Sequence, residues 1–495
     1  MSRDDASYQG QLNLTTGATT CRSSTCSNSR SGAAALAAAS KPSRNNSSTN
    51  NNTNSNSKKP PLWARPRRCF SLRKLPQLAS FVLVVVAICS SIPHAVSAEA
   101  NTKAKARPPP SFPLPPEVRP DGCGKEVEDP NGDNFDDLKV SIIIPYRNER
   151  LDHIKGSLES ILYYTPKRYL SEILFVSDGN PIEQIYLKEL RSMSKLVSFL
   201  VIPSPGAGLI EAKMRAVAGA ALNSTVLVFL EPHIRTNRQW LQPLLRRIRL
   251  YPKVLAMPML DPIPQDNFNQ YLRGTSGQWR FEWNLNLIFS EPVPRTPSAT
   301  PYMSPATSGG IFAIRRDWWN ELGLYDHGMI GWGGDHIEAT LKVWRCGGHI
   351  EVVPCSHVGH LFRDPDHRPY PVVVEQVVRN YARIAEVWLE EYLPYFYKVK
   401  PEANGMEVGD LSAAFKLKEK LQCKSMKWYL ENVDREMEWE KDHICIPGCD
   451  IPKICCKGPQ HPQRTTLDKI MPVELYKSRP TISLQELTKP SRSEL

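Results

Sequence analysis

No internal repeat of fixed period runs through the 495 residues, which excludes a solenoid or propeller assembled from stacked units. No nucleic-acid recognition motif is present, and although the net charge is +11 with a pI near 9.0, the basic residues are spread along the chain instead of gathered in one arm. A dispersed excess offers no electrostatic stripe to a phosphate backbone, so no nucleic acid is expected as a partner. Large apolar side chains are scarce in the first 75 residues, which are rich in Ser, Asn, Thr and Ala and include Asn50-Asn51-Asn52. Such a segment buries too little to offset the entropy of ordering, and residues 1–75 are expected to be a disordered cytoplasmic arm.

Long apolar runs are scarce as well. Leu78-Ala-Ser-Phe-Val-Leu-Val-Val-Val-Ala-Ile-Cys-Ser-Ser-Ile92 stands out, about 15 to 20 residues depending on whether Pro93 and His94 are included, near the lower limit for a membrane-spanning helix. Arg65, Arg67, Arg68, Arg73 and Lys74 precede it, and basic residues on that side hold an N-terminus in the cytoplasm. Residues 76–98 are therefore expected to be a signal anchor. A cleaved signal peptide is the alternative, because Val96-Ser-Ala98 puts small residues where a signal peptidase cuts, but so long a preceding segment is unusual for one. Either reading delivers the remainder to the secretory lumen. Residues 99–121 include Pro108-Pro109-Pro110, Pro113, Pro115, Pro116 and Pro120, a composition that favours an extended, semi-rigid stem.

What remains can fold. Apolar residues make up 41% of the chain, enough for a sizeable core in a body starting near Gly122. Val140-Ser-Ile-Ile-Ile-Pro145 reads as a parallel strand buried on both faces, ending in Tyr146-Arg-Asn-Glu149. An amphipathic helix is predicted over Leu151–Tyr164, a second strand over Ile173-Leu-Phe-Val176 closing on Ser177-Asp178-Gly179, and a third over Phe199-Leu-Val-Ile202. This is a βαβ plan, with ligands expected beyond the carboxyl ends of the strands. The fourth run, Thr225-Val-Leu-Val-Phe-Leu230, leads into Glu231-Pro232-His233. Positions two apart on an extended chain project to the same side, so a carboxylate and an imidazole can meet one divalent cation there. Mixed oxygen and nitrogen ligation suits manganese among other metals.

At this point the sequence resembles the polypeptide N-acetylgalactosaminyltransferase family over about residues 122–430. The resemblance is carried by Asn148-Glu149, Ser177-Asp178, Gly208-Leu-Ile210, Trp240-Leu-Gln-Pro-Leu244, Gly309-Gly-Ile-Phe312, Trp332-Gly-Gly-Asp335, Cys346-Gly-Gly348, Cys355-Ser-His-Val-Gly-His-Leu-Phe-Arg363, Ala385-Glu-Val-Trp388 and Leu421-Gln-Cys-Lys424. It implies an α/β, GT-A (Rossmann-like) nucleotide-sugar-binding domain with a mostly parallel central sheet. The donor and metal half would span about 135–250 and the acceptor half about 300–365. The implied reaction is retaining transfer of GalNAc from UDP-GalNAc to Ser or Thr of polypeptides, without an enzyme nucleophile, in a Golgi membrane protein anchored once with its catalytic domain in the lumen. The resemblance also implies Mn2+ held by Glu231, His233 and His360, and a donor contacted by Asp178, Trp332, Arg363 and Tyr370. Asp335 would be an acceptor-side catalytic carboxylate, and the implied disulfides are Cys123 to Cys355 and Cys346 to Cys423. Read without the family, Trp332 is ordinary core, His357 and His360 are satisfied polar groups near a disulfide, and Asp335 caps the helix that continues through Ile337 and Leu341.

The sequence departs from the family pattern around the donor. Glu231 stands for Asp, Asp335 for Glu, Pro145 and Arg147 for Thr and His, and Gly206 and Glu211 for two Arg residues. A carboxylate at Glu211 would repel a diphosphate unless Arg147 or Lys213 pairs with it. These changes motivate an alternative: a catalytically silent relative that binds polypeptide or a related transferase and regulates O-glycosylation. Residues 431–495 are expected to be a Cys-containing tail without the family's lectin domain, in which Cys445, Cys449, Cys455 and Cys456 form small bridges in preference to a zinc site. Asn223-Ser-Thr225 is an N-glycosylation sequon, but its entry into a predicted strand argues that it is inaccessible.

Overall fold

The computed structural model describes residues 111–123, 134–290, 298–363 and 367–441. The expected arm, the anchor at 76–98 and the four tail cysteines lie outside the described residues. Among the described residues no helix is long and apolar enough to cross a membrane.

Strand and helix alternate from the start: β1 (Val140–Tyr146), α1 (Leu151–Tyr164), β2 (Leu170–Asp178), α2 (Leu187–Met193), β3 (Val197–Ile202), α3 (Leu209–Gly219) and β4 (Val226–Phe229). Then come β5 (Ile234–Thr236), α4 (Leu241–Leu250), β6 (Val254–Ile263), a hairpin of β7 (Gln278–Phe281) and β8 (Leu287–Ser290), β9 (Tyr302–Met303) and β10 (Phe312–Arg315). The described chain closes with α5 (Arg316–Glu321), α6 (Asp335–Arg345), β11 (His349–Leu361), α7 (Val374–Trp388), α8 (Leu393–Val399), α9 (Ser412–Lys420), α10 (Met426–Asn432) and α11 (Arg435–Glu440).

β1 shows why the sheet is two-faced. Ile142 and Ile144 pack on one side with Ile154, Leu158 and Ile161 of α1 and Leu241, Leu244 and Leu245 of α4. Ile143 points the other way, toward Ile210 of α3, Ile337 and Leu341 of α6 and Ile384 of α7. A strand with period two and helices on both faces needs apolar residues at every position, which is what the uninterrupted run supplies. Burying each such side chain stabilises by about 1.5–3 kcal/mol, so Ile143→Ala would cost about 2–5 kcal/mol.

The nine-stranded sheet has the order β3-β2-β1-β4-β10-β6-β11-β5, with β9 beside β11. It is mixed, which corrects the mostly parallel expectation. β1·β2, β2·β3, β1·β4 and β6·β11 are parallel, whereas β4·β10, β6·β10, β5·β11 and β9·β11 are antiparallel. β10 lies between β4 and β6 and runs against both. A short buried run such as Phe312-Ala-Ile-Arg315 reads the same in either direction, because direction is set by the path of the connecting chain.

Packing reaches into the Pro-rich segment. Phe112 and Val118 are buried, and Asn237 Nδ2 donates to the Pro116 carbonyl at 3.1 Å. Both implied disulfides form: Cys123 to Cys355, spanning 232 residues, and Cys346 to Cys423, spanning 77. The first ties the start of the domain to the middle of β11.

Candidate functional site

β4 is buried along its whole length and delivers Glu231 just past its carboxyl end. His233 follows two residues later and immediately precedes β5. β5 pairs antiparallel with β11 through Ile234 and His360, which brings the third side chain alongside. Ser157 of α1 fixes the link from behind, donating to the Pro232 carbonyl at 2.8 Å and accepting from Ile234 N at 2.9 Å.

The outcome is a convergence on one oxygen. His360 Nε2 lies 2.7 Å and His233 Nε2 2.9 Å from Glu231 Oε2, and the three candidate ligand atoms all lie within 4.8 Å of one another. Burial pushes the Glu231 carboxyl up, but His360 and His233 outweigh it and hold it well below the usual carboxylate range. For His233, burial lowers the imidazole pKa, and Glu149 and Glu231 raise it by more. The longer Glu231 arm is accommodated by the glycine opposite: a Cβ at Gly310 would sit 2.0 Å from Glu231 Oε1.

A further layer stands behind these donors. Glu149 Oε2 lies 2.9 Å from His233 Nδ1, and Glu149 Oε1 meets His153 Nδ1 at 2.9 Å and Arg363 NH2 at 2.7 Å. An ionised carboxylate only accepts, so Glu149 keeps a proton on Nδ1 of His233 and leaves Nε2 as the nitrogen facing Glu231. Burial pushes Glu149 up, yet His153, His233 and Arg363 together hold it far below the carboxylate range. The donor set therefore fits a divalent cation: one carboxylate oxygen and two imidazole nitrogens face one point, one imidazole is oriented by an outer carboxylate, and His360 Nδ1 is buried with no hydrogen-bond partner among the described residues. Neither Glu149 nor His153 is among the site residues expected from the sequence. Their signal was the Asn148-Glu149 block followed four residues later by a histidine in the first turn of α1.

The other expected residues are placed as follows. Asp178 ends β2, is 4% exposed, and accepts from Ala207 N at 2.6 Å and Gly208 N at 3.0 Å, so it shapes the 206–208 turn. Arg147 fills the space above that turn: a Cβ at Gly206, whose φ is +92°, would lie 2.9 Å from Arg147 NH1 and from Asp178 Oδ1. Tyr370 lies in the loop before α7, where burial and the Glu231 charge push its hydroxyl up to about 12. Trp332 is partly buried, with the Arg368 guanidinium 5.1 Å from its ring centre.

Asp335 and Glu211 have other partners than the sequence suggests. Asp335 does not cap its helix, because the N-cap is Gly334. It is 4% exposed, and Lys213 Nζ donates to its Oδ2 at 2.8 Å and to the Gly309 carbonyl at 3.0 Å. Burial pushes Asp335 up, but Lys213 and His336 hold it well below the usual range. Glu211 pairs with neither Arg147 nor Lys213; its partner is Arg215, one helical turn on, at 2.7 Å.

Comparison with known proteins fits this geometry. The Glycosyl transferase family 2 model matches residues 141–322, and the N-terminal domain of galactosyltransferase matches 295–365. Polypeptide N-acetylgalactosaminyltransferase 4 of Caenorhabditis elegans is 36% identical over 306 residues, covering 60% of this chain and 51% of the relative. Inactive polypeptide N-acetylgalactosaminyltransferase-like protein 5 of Macaca fascicularis is 34% identical over 311 residues, covering 60% of this chain and 68% of the relative. The chain spans about half the length of several curated relatives it matches. A crystal structure of GalNAc-T7 with UDP, GalNAc and Mn2+ superposes with a TM-score of 0.57 at 30% identity, covering 61% of this chain and 58% of that one, so the mixed sheet is a GT-A glycosyltransferase fold. With a relative more than 30% identical and covered over two thirds of its length, the chain belongs to the polypeptide N-acetylgalactosaminyltransferase family.

Proposed function

We propose that this chain transfers GalNAc from UDP-GalNAc to Ser or Thr hydroxyls of secretory polypeptides, assisted by Mn2+, in the Golgi lumen behind a single anchor at 76–98. The observation that carries this reading is the convergence of Glu231, His233 and His360, with Glu149 orienting His233. Mn2+ held by those three side chains would supply positive charge for the departing diphosphate. Arg363 is anchored to Glu149 through NH2, and its other N–H groups would donate to phosphate oxygens. Asp178 and Arg147 flank the 206–208 turn beyond the ends of β1 and β2, where the nucleoside would lie, so Arg147 supplies a cation that Gly206 lacks. Trp332 and Tyr370 offer aromatic faces to the donor. Asp335 acts through Lys213, which bridges the start of α6 to the Gly309-Gly310 turn under Glu231.

A second reading, a catalytically silent member that binds polypeptide or a related transferase, is favoured by the burial of Asp335 against Lys213. Calorimetry with UDP, with and without Mn2+, followed by transfer assays on Ser/Thr peptides, separates the two. Metal-dependent UDP binding with transfer is expected. Binding without transfer selects the silent reading, and absence of metal-dependent binding overturns the Mn2+-assisted transferase reading.

A further inference from the structure

We propose that Asn223 carries an N-linked glycan and is the chain's single acceptor for one. The inference is independent of transferase activity. Asn223-Ser224-Thr225 is the only Asn-x-Ser/Thr triplet after residue 99; the four others begin at Asn13, Asn45, Asn46 and Asn51, ahead of the apolar run. In the reaction the Asn223 side-chain nitrogen bonds to C1 of a lipid-diphosphate-linked oligosaccharide while the bond from C1 to phosphate oxygen breaks. The lipid diphosphate leaves with the electron pair, and the amide nitrogen gives up a proton. The co-reactant is the lipid-linked oligosaccharide of the secretory lumen, and the Cys123–Cys355 and Cys346–Cys423 bonds fit an oxidising compartment of that kind.

The folded chain must also tolerate so bulky a group, and here the structure reverses the expectation from sequence. The sequon does not enter the strand: β4 begins at Val226, and residues 222 and 223 form a turn. Leu222 is 97% exposed, and Asn223 and Thr225 are both exposed. Ser224 between them points inward, donating to the Val226 carbonyl at 3.0 Å and accepting from Ser141 N at 3.1 Å. That inward middle residue holds the first and third residues outward. The Asn223 amide has no hydrogen-bond partner among the described residues. Asn223 stands before the amino end of β4 and Glu231 beyond its carboxyl end, so a glycan at 223 grows from the opposite edge of the sheet and leaves the metal-ligand cluster uncovered.

The test uses the full chain made in a eukaryotic secretory host and released with peptide N-glycosidase in heavy-oxygen water, which marks each former glycan site as labelled Asp. The expected result is label at 223 alone and one downward step in apparent mass, both lost in Asn223→Gln and in Thr225→Ala. Asn223→Gln leaves the Thr225 contact to Lys139 intact, and oxidised Cys346–Cys423 in that variant shows that it has folded. Absence of label at 223, whether the disulfides are oxidised or reduced, overturns the proposal. So does label at Asn13, Asn45, Asn46 or Asn51.

Discussion

β11 carries three histidines, each set against a carboxylate, and the three pairs are not alike. His349 meets Glu351 at 2.9 Å, and Arg247 completes that carboxylate through Nε at 2.7 Å and NH2 at 2.9 Å. His357 meets Asp261 at 2.8 Å, which also accepts from the Tyr271 hydroxyl at 2.6 Å and Gly274 N at 2.8 Å. These two carboxylates are 1% and 0% exposed and fully used by their own neighbours. At His360 the pattern changes: a second imidazole reaches the same oxygen of Glu231, and Glu231 remains 37% exposed. The residue types are the same at all three places. Convergence of several donors on one accessible point separates a candidate metal site from structural ion pairs, and the presence of His beside Asp or Glu does not.

The contrast can be broken most sharply at its accessible end. His360→Ala is expected to abolish Mn2+-dependent UDP binding in calorimetry while thermal unfolding changes little; metal-dependent binding that survives would place the cation elsewhere. Glu351→Gln should do the reverse, because it strands the buried Arg247 charge. A stability loss of about 3–5 kcal/mol by denaturant titration is expected, with metal affinity of the folded fraction unchanged. The same residue predicts an acid response. Burial raises the Glu351 pKa, but His349 and Arg247 bring it down to about 2. Its contribution is present above the ordinary glutamate range and is lost as pH falls from about 4.5 toward about 2, a slope that Glu351→Gln should flatten. Glu149→Gln tests the outer layer and is expected to weaken Mn2+ binding by about 10–100-fold without unfolding the protein. The smallest effect belongs to Glu211→Ala, where an exposed pair with Arg215 one turn away is worth about 0.3–0.5 kcal/mol.

Legibility varied with the range of the interaction. Helix α1 was bounded from sequence at Leu151 and Tyr164, as found, because its apolar stripe and the loops around it are local features. The strand signals at 140, 173, 199 and 225 likewise all correspond to strands. Strand direction is not readable, and the antiparallel entry of β10 between β4 and β6 makes the sheet mixed where a mostly parallel one is expected. In the site, Glu231 and His233 could be paired from their spacing together with their position just after a buried strand. His360 lies 129 residues from Glu231, and only family resemblance suggested it. Glu211 takes Arg215 in preference to Arg147 or Lys213, because an i,i+4 neighbour on the same helix competes well with more distant cations.

The sequence by itself determined which segments are buried strands, where the carboxyl ends with their polar residues fall, and which family pattern they follow, because side-chain periodicity and short-range order reside in neighbouring residues. The tertiary structure alone decided that three histidines on one strand have three different fates, that Asp335 is locked against Lys213, and that Asn223 stands clear of β4. Each of those outcomes depends on atoms brought together from distant parts of the chain, where burial and the count of competing partners set the chemistry.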